Sequence, residues 1–235
     1  REKASLMDFR GKEMCKAIKQ KESSKIDIIK EVLTGRLEKI MSDFPETEKL
    51  PYFYQELIKL TIDVGQLKKS FGAVRWAIEK IKFFQKNYAR MIARETNRFR
   101  LGQISKEYYG RISSVLKQID SNLKYLEGTR RVMKTFPDVK EMFTVCVYGF
   151  PNVGKTTLLN KLTGTKAKVA GYSFTTKTIN VGYFTIGEHK IQVMDVPGTL
   201  ARPEKMNIIE MQAELVLKEL ANLIIFVFDV TGQTE

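Results

Sequence analysis

The sequence has few of the residues on which disulfide and metal chemistry depend. Its 235 residues include two cysteines, Cys15 and Cys146, and one histidine, His189. Two cysteines without metal-ligand spacing exclude a disulfide framework and favour a reducing, cytoplasmic location. We interpret Cys146 as a small core residue of a strand, and His189 as a solvent-facing turn residue. No apolar run is long enough to cross a bilayer, so no membrane span is predicted.

Acidic residues are scarce relative to basic ones, and the imbalance is confined to one part of the chain. There are 40 Lys and Arg against 27 Asp and Glu, a net charge of +13. Residues 1–141 hold 31 Lys and Arg against 19 Asp and Glu, whereas residues 142–235 hold 9 against 8. This asymmetry favours a polyanionic partner for the first part, nucleic acid before a membrane surface. The alternative is a solvated basic surface without a partner.

Hydrophobic spacing predicts a helical domain over residues 24–141. Apolar residues recur at intervals of three and four, which is typical of helices with one buried face. The predicted helices run from about Lys25 to Asp43, Pro51 to Val64, Leu67 to Arg98 and Ser105 to Lys134. Long helices with short links indicate a bundle or a long hairpin. Residues 1–23 are polar and basic with little periodicity, so we interpret them as an extended basic arm.

The third predicted helix carries a basic stripe. Its cations recur every four residues, at Lys82, Lys86, Arg90, Arg94 and Arg98. Like charges at this spacing destabilise an isolated helix by roughly 0.2–0.5 kcal/mol per pair. Such a run suggests a compensating anion, and we favour an RNA backbone over a merely solvated face. No RNA-binding consensus with stacking aromatic residues is recognisable.

From residue 142 the pattern changes to alternating strands and helices, which predicts a doubly wound α/β domain over residues 142–235. The segment Gly149-Phe150-Pro151-Asn152-Val153-Gly154-Lys155-Thr156 fits the phosphate-binding loop pattern G-x-x-x-x-G-K-[ST], with a strand before it and a helix after it. Its glycines allow successive backbone N–H groups to point into one concavity. Lys155 would contact the β- and γ-phosphates, and the Thr156 hydroxyl would bind Mg²⁺.

Two further motifs accompany the loop. Asp195-Val196-Pro197-Gly198 follows an apolar strand, which places Asp195 to hold Mg²⁺ through water and the Gly198 N–H to approach the γ-phosphate. Thr175 and Thr176 lie between the two motifs, where a threonine hydroxyl can close on Mg²⁺ only while γ-phosphate is present. The alternative for this stretch is an ordinary Ser/Thr loop. Lys155, Thr176 and Gly198 are therefore the predicted catalytic residues.

The remaining segments predict a hairpin, a helix and one more strand. Ile179 to Ile186 and Lys190 to Met194 form two strands around a tight turn. Asn207 to Leu220 is amphipathic and predicts a helix. Leu223 to Val230 is a continuous apolar run, which is typical of a buried parallel strand.

In their order, Gly-Phe-Pro-Asn-Val-Gly-Lys-Thr, Tyr-Ser-Phe-Thr-Thr-Lys and Asp-Val-Pro-Gly resemble the motifs of the Obg-like GTPases. Three further segments make the chain similar to the nucleolar GTP-binding protein 1 family, in an archaeal-type form: Pro51-Tyr52-Phe53-Tyr54, Lys124-Tyr125-Leu126-Glu127 and Asn207-Ile208-Ile209-Glu210-Met211-Gln212-Ala213. The resemblance implies a helical bundle ahead of a GTPase domain that binds GTP or GDP with Mg²⁺. It also implies contact with ribosomal RNA and large-subunit precursor particles.

Carried over residue by residue, the resemblance implies a nucleotide site in which Asn152, Val153, Gly154, Lys155, Thr156 and Thr157 wrap the phosphates. It makes Thr156 and Thr176 direct Mg²⁺ ligands, supported by Asp195, with Thr175 and Gly198 near the γ-phosphate. Asn152 occupies the position that coordinates K⁺ in potassium-dependent relatives. There the ion acts as a built-in substitute for an arginine finger.

Two departures from a complete GTPase limit these expectations. Thr199 stands where signalling GTPases have a water-orienting Gln, so slow intrinsic hydrolysis is expected. No Asn-Lys-x-Asp motif follows the last strand, and Asp229 cannot replace it because it ends the preceding strand. We therefore expect a C-terminally truncated GTPase domain with weakened guanine selectivity. Loss of GTPase activity in this form of the chain is a further expectation.

Together the observations predict a slowly hydrolysing GTP-binding factor of large-subunit assembly, monomeric and cytoplasmic, or nucleolar in a eukaryote. One alternative is an RNA-binding assembly scaffold that uses its nucleotide site only as a switch or not at all. Another is an ATP-using phosphate-loop kinase or ATPase, which the Thr-Thr and Asp-Val-Pro-Gly motifs disfavour.

Overall fold

A computed structural model describes residues 2–150, 152–164, 172–173, 178–196 and 208–230. The elements, in chain order, are α1 (Glu2–Ser42), a 3-10 turn (Thr47–Lys49), α2 (Tyr52–Thr61), α3 (Val64–Arg94), α4 (Arg98–Gln118), α5 (Asp120–Met133), β1 (Thr144–Gly149), α6 (Lys155–Thr163), β2 (Tyr172–Ser173), β3 (Thr178–Ile186), β4 (His189–Asp195), α7 (Ile208–Glu219) and β5 (Leu223–Val227). None of the helices within these residues has both the length and the apolar character needed to span a membrane.

The chain forms two compact units whose segments alternate along the sequence. The helical unit comprises Arg1–Pro45 and Gly65–Gly128, and the sheet unit comprises Glu46–Val64 and Thr129–Glu235. The sequence predicts boundaries after residues 23 and 141, with the whole of residues 24–141 in one helical domain. The difference arises because α2 has an apolar face that fits the core of the sheet unit.

The helical unit is built from α1, α3, α4 and the start of α5 around one apolar core. Tyr108 on α4 is its largest fully buried side chain, and its hydroxyl donates to the Ile26 carbonyl of α1 over 3.4 Å. Burial raises the pKa of Tyr108 to about 12. Ile81 and Ile92 of α3 and Leu101 of α4 are likewise almost completely buried. The long helices therefore each have a buried apolar face, as their spacing predicts.

The predicted extended arm is wrong, because α1 begins at Glu2 and continues to Ser42. Residues 2–23 lack proline and are rich in Lys, Glu, Ala and Met, which are strong helix formers. Their apolar spacing is weak because the side chains described after residue 12 are mostly exposed. Periodicity detects the buried face of a helix and therefore missed one with little buried face.

Two helix boundaries also differ from the prediction. The third helix ends at Arg94, so Arg98 is the first residue of α4 and not the end of the stripe on α3. The helix predicted from Ser105 to Lys134 is two helices, because Ile119 leaves helical geometry at φ −99° and ψ 4°. Ile119 is 1% exposed. The residue at the break is therefore packed in the core, and helix propensity does not report such packing.

The sheet unit has a mixed sheet in the order β2-β3-β4-β1-β5. β1 is parallel to β4 and β5, whereas β3 is antiparallel to both β2 and β4. The predicted hairpin is therefore confirmed as β3–β4. Side chains alternate across β1: Val145 and Val147 pack with Leu159 of α6, and Cys146 packs on the opposite side with Val216 of α7. Helices thus cover both faces, as the doubly wound prediction requires.

Helix α2 completes the second of these cores. Phe53 and Leu57 are at most 4% exposed and lie in the same apolar cluster as Cys146 and Val216. Tyr54 fastens the segment that leads into β1, because its hydroxyl donates to the Pro137 carbonyl over 2.6 Å and accepts from the Val139 N–H over 2.9 Å. A helix distant in sequence therefore belongs structurally to the sheet unit.

The burial predicted for the last strand is wrong. β5 pairs with β1 in parallel, as expected, but it ends at Val227 and forms an edge of the described sheet. On the face that carries Tyr148, the side chains of Ile224, Phe226 and Phe228 remain 50%, 49% and 62% exposed. Composition identifies a strand suited to burial, whereas its neighbours decide whether it is buried.

We expect Tyr54→Phe to lower the free energy of unfolding of the sheet unit by about 1–3 kcal/mol, because it deprives two backbone groups of their partner. The measurement is the urea dependence of Cys146 labelling in a Cys15→Ser background. Burial leaves Cys146 0% exposed and raises its pKa to about 12, so labelling requires opening of the unit. Tyr52→Phe, at a position 58% exposed, is the matched control and should change stability little. Equal midpoints for the two variants would contradict the role of the hydroxyl.

Candidate functional site

The phosphate-binding loop follows β1 directly and has the backbone that its glycines predict. Gly149 has φ 151°, and a Cβ there would overlap the backbone oxygen of Val227 on β5. Gly154 has φ 89° and Asn152 has φ 65°. Asn is one of the few residues other than Gly that adopt this left-handed region readily. The loop therefore turns sharply between the end of a strand and the start of a helix, as an anion-binding loop requires.

Helix α6 begins at Lys155 and carries the functional side chains of the loop. The Leu158 N–H donates to the Gly154 carbonyl over 2.9 Å, which closes the first helical turn. Lys155 is 9% exposed, and its ammonium donates to the Phe150 carbonyl over 2.7 Å. The lysine thus lies back across the loop, with its charge next to the concavity. Val153 is half-buried, whereas the Thr157 side chain is exposed.

Thr156 and Asp195 are brought together although 39 residues separate them. The Thr156 hydroxyl donates to Asp195 Oδ2 over 2.5 Å. The parallel register between β1 and β4 pairs Val147 with Asp195, which places Asp195 at the carboxyl end of its strand beside the loop. Asp195 is 6% exposed. Two oxygen ligands of the kind that Mg²⁺ prefers therefore meet at the first turn of α6.

Asn180 joins this pair and was not predicted. Its side-chain amide donates to Asp195 Oδ2 over 3.3 Å, and the β3–β4 register places Asn180 opposite Asp195. The sequence predicts only that Asn180 lies in a strand. A signal was present, because Asn is depleted in strands and this one follows the threonine stretch closely. Only the antiparallel register shows which residue it faces.

Three predicted residues, Thr175, Thr176 and Gly198, lie outside the described residues, as does Thr199. Their assignments as switch and γ-phosphate contacts therefore remain predictions. Asn152, Val153, Gly154, Lys155 and Thr156 form the described loop, and Asp195 lies beside it.

The described residues fit a nucleoside phosphate with Mg²⁺. The positive-φ loop at the N-terminus of α6 suits phosphate oxygens, and Lys155 supplies a cation at the same end. Thr156 and Asp195 supply oxygen ligands for Mg²⁺, which usually binds a few protein oxygens together with substrate phosphates.

The basic stripe is exposed, as predicted, at Lys82, Lys86, Arg90, Arg94 and Arg98. Lys82 pairs with Glu38 of α1 over 2.9 Å. Among the residues that the structure describes, Lys86, Arg90 and Arg94 form no ion pair, so no described carboxylate pairs with them to offset their repulsion.

Two family models match the chain and divide it near the start of β1. A model of the NOG1 N-terminal helical domain matches residues 2–140. A model of a 50S ribosome-binding GTPase matches residues 144–235. The chain belongs to the NOG1 family. The family and the fold class, a helical domain followed by a phosphate-loop GTPase domain, are thereby confirmed.

Individual relatives agree with this assignment. An uncharacterized protein of Methanocaldococcus jannaschii is 41% identical over 94% of this chain. Nucleolar GTP-binding protein 1 is 34% identical in Drosophila melanogaster over 84% of the chain, and 32% identical in Caenorhabditis elegans over 90%. The chain spans 63% of the archaeal relative and 31% of each of these two eukaryotic relatives. Among solved structures, the G domain of the FeoB iron transporter of T. maritima matches 38% of the chain and 57% of its own length, at 38% identity and a TM-score of 0.33.

For Asn180 we expect that substitution by Ala weakens the Mg²⁺ dependence of nucleotide retention, because Asp195 loses a donor that orients it. A hydrogen bond to a carboxylate contributes about 1.5 kcal/mol, so release of a fluorescent GDP analogue in Mg²⁺ should quicken about tenfold. Release in excess chelator should be unchanged.

Thr185→Ala, at an exposed position on the same strand, is the control for altered strand stability. Identical Mg²⁺ titrations for Asn180→Ala and wild type would contradict an orienting role for Asn180.

Proposed function

We propose that this chain binds GTP with Mg²⁺, hydrolyses it slowly, and acts with its helical domain on ribosomal RNA during assembly of the large ribosomal subunit. The observation that carries the nucleotide part is the contact of Thr156 with Asp195 beside the loop. The matching GTPase model is that of a 50S ribosome-binding GTPase, and the eukaryotic relatives are named nucleolar GTP-binding protein 1. These names support the ribosomal part of the proposal.

The residues of the loop would hold and polarise the phosphates. Backbone N–H groups around Gly154 bind phosphate oxygens, and Lys155 neutralises charge on the transferring group. Thr156, Thr176 and Asp195 would hold Mg²⁺, which when bound would supply further positive charge to the phosphates. Thr175 and Gly198 contact the γ-phosphate side. Thr199 stands at the position where signalling GTPases have a water-orienting glutamine, so we expect hydrolysis to be slow without a partner.

Asn152 is the proposed ligand for a potassium ion. Its side chain is exposed at the crest of the loop, where its backbone has a positive φ. An amide oxygen there, next to the phosphates, provides a hard neutral ligand that suits an alkali cation. The cation would stabilise transition-state charge that an arginine finger stabilises in other GTPases.

The experiment for the nucleotide part is single-turnover hydrolysis of GTP by the intact chain in KCl and in NaCl. We expect a rate below about 10⁻² s⁻¹. The rate should be higher in K⁺ than in Na⁺, because of Asn152, and reduced at least about 100-fold in Lys155→Ala. Lys161→Ala removes an exposed lysine from the same helix and is the matched control.

Equal rates in the two salts would remove the proposed role of K⁺ while leaving GTP hydrolysis intact. Equal rates for Lys155→Ala and wild type would contradict catalysis by the loop. Nucleotide binding without turnover, together with RNA binding, would favour the scaffold alternative.

For the RNA part, we expect that Arg90→Glu with Arg94→Glu weakens binding to ribosomal RNA fragments and flattens its salt dependence. Each phosphate contact removed should reduce the slope of log affinity against log salt concentration by about 0.7–0.9. Lys68→Glu with Lys69→Glu changes the net charge equally at exposed positions in the first turns of α3. That control should retain most of the affinity and the slope. If the two double variants bound equally well, the stripe would be excluded as a specific RNA surface.

A further inference from the structure

Phe99 is exposed in a position that packing does not explain. It is the second residue of α4 and is 72% exposed, more than any other aromatic side chain that the structure describes. Leu101 and Ile104 attach the same end of α4 to the core, at 0% and 2% exposure. The Phe99 ring, near the N-terminus of α4, therefore contributes nothing to the core of the helical unit.

The turn that presents Phe99 is held by its own hydrogen bonds. The Asn97 side chain caps α4 by accepting from the Phe99 N–H over 3.0 Å. The Glu95 carboxylate accepts from the N–H groups of Thr96 and Asn97, each over 2.8 Å. These backbone donors lower the pKa of Glu95 below its usual value.

Helix α1 fixes the same turn from outside. The Lys19 ammonium donates to the Ala93 carbonyl over 3.0 Å, and the Cys15 thiol to the Thr96 carbonyl over 3.5 Å. Together with the cap at Asn97, these contacts set the backbone position of Phe99 before any partner binds. A backbone held in this way loses little conformational freedom on contact, which favours recognition.

The charges around Phe99 select an anionic partner. The Arg98 guanidinium lies 4.7 Å from the centre of the Phe99 ring, and Arg94, the last residue of α3, is also exposed. The pattern recurs on α3, where Phe83 is 56% exposed with the Lys80 ammonium 5.7 Å from its ring centre. Because seven residues make almost two helical turns, Phe83 and Arg90 lie on the same face of α3.

The exposed rings of Phe83 and Phe99 lie among the cations of the basic stripe. This combination suits a nucleic-acid strand better than a membrane or an acidic protein. Phosphates supply repeated negative charge, and every base offers a flat face that stacks on an aromatic ring. Duplex RNA keeps its bases stacked internally, whereas unpaired bases are available for such contacts. The stripe from Lys82 to Arg94 is about 18 Å long at 1.5 Å per residue, which accommodates several nucleotides.

We propose that Phe99 is a stacking platform for an unpaired base of an RNA strand whose backbone follows the basic stripe. This inference rests on the RNA role proposed above and assigns it a substrate class, single-stranded RNA. Arg98 covers one face of the ring, and the base stacks on the other, so that cation, ring and base form a sandwich.

The test uses the intact chain and a single-stranded RNA labelled with 2-aminopurine, compared with a blunt duplex of the same sequence. Phe99→Ala should weaken binding to the single strand about 5- to 100-fold and abolish the change in 2-aminopurine fluorescence. Its salt slope should stay as in wild type, because no phosphate contact is removed. Phe99→Tyr should bind within about twofold, whereas Phe99→Leu should bind like Phe99→Ala, since it keeps apolar bulk without a π face. Affinity for the duplex should not change in any of the three.

The outcomes separate this inference from the proposed function. If wild type bound neither RNA, the RNA role and the inference would fail together. If Arg90→Glu with Arg94→Glu weakened binding while Phe99→Ala bound like wild type, the inference alone would fail. Wild-type affinity of Phe99→Leu, or an equal loss of single strand and duplex by Phe99→Ala, would also overturn stacking. Thermal unfolding midpoints of the variants, expected to match wild type at this exposed position, exclude misfolding as the cause.

Discussion

The contact between Thr156 and Asp195 depends on nearly every other feature of the sheet unit. It requires β1 and β4 to be parallel neighbours, so that the loop after one strand and the carboxylate at the end of the other lie at the same sheet edge. It also requires the sharp turn at Gly149, where any side chain would overlap the backbone of β5. Asn180 then reaches Asp195 only because β3 runs antiparallel to β4 in one register. A slip of one residue would turn Asn180 to the other face of the sheet.

The cores of the sheet unit tie this edge to a helix that precedes it by almost a hundred residues. Phe53 and Leu57 of α2 share an apolar cluster with Cys146, which lies at the middle of β1. The two hydrogen bonds of the Tyr54 hydroxyl fix residues 137–139, the approach to that strand. The division into domains along the sequence and the division into compact units are therefore different.

The helical unit separates its packing face from its charged face. Ile81 and Ile92 of α3 are buried, while Lys86, Arg90 and Arg94 between and beside them are exposed. Mutual repulsion among cations is tolerated because burial of the apolar face contributes far more free energy than the few tenths of a kcal/mol per pair that the repulsion costs. The end of this face coincides with the turn at Glu95 to Asn97, whose hydrogen bonds are made locally. That turn combines a rigid backbone with an exposed ring.

Local chemistry determined much of this protein. The phosphate-binding loop, the hairpin, the long helix faces and the basic stripe could be predicted. Each follows from a local pattern of residue types at fixed spacing. The helix over residues 2–23 was missed because apolar periodicity is weak there, and most of residues 13–21 are exposed. The break at Ile119 was missed because the apolar spacing continues through it. Asn180, the membership of α2 in the sheet unit and the exposure of Phe226 concern which elements become neighbours. Sequence by itself determined the strands, most of the helix faces and the glycine-containing loop after β1. Only tertiary structure decided what faces Asp195, since that depends on register between segments distant in the chain.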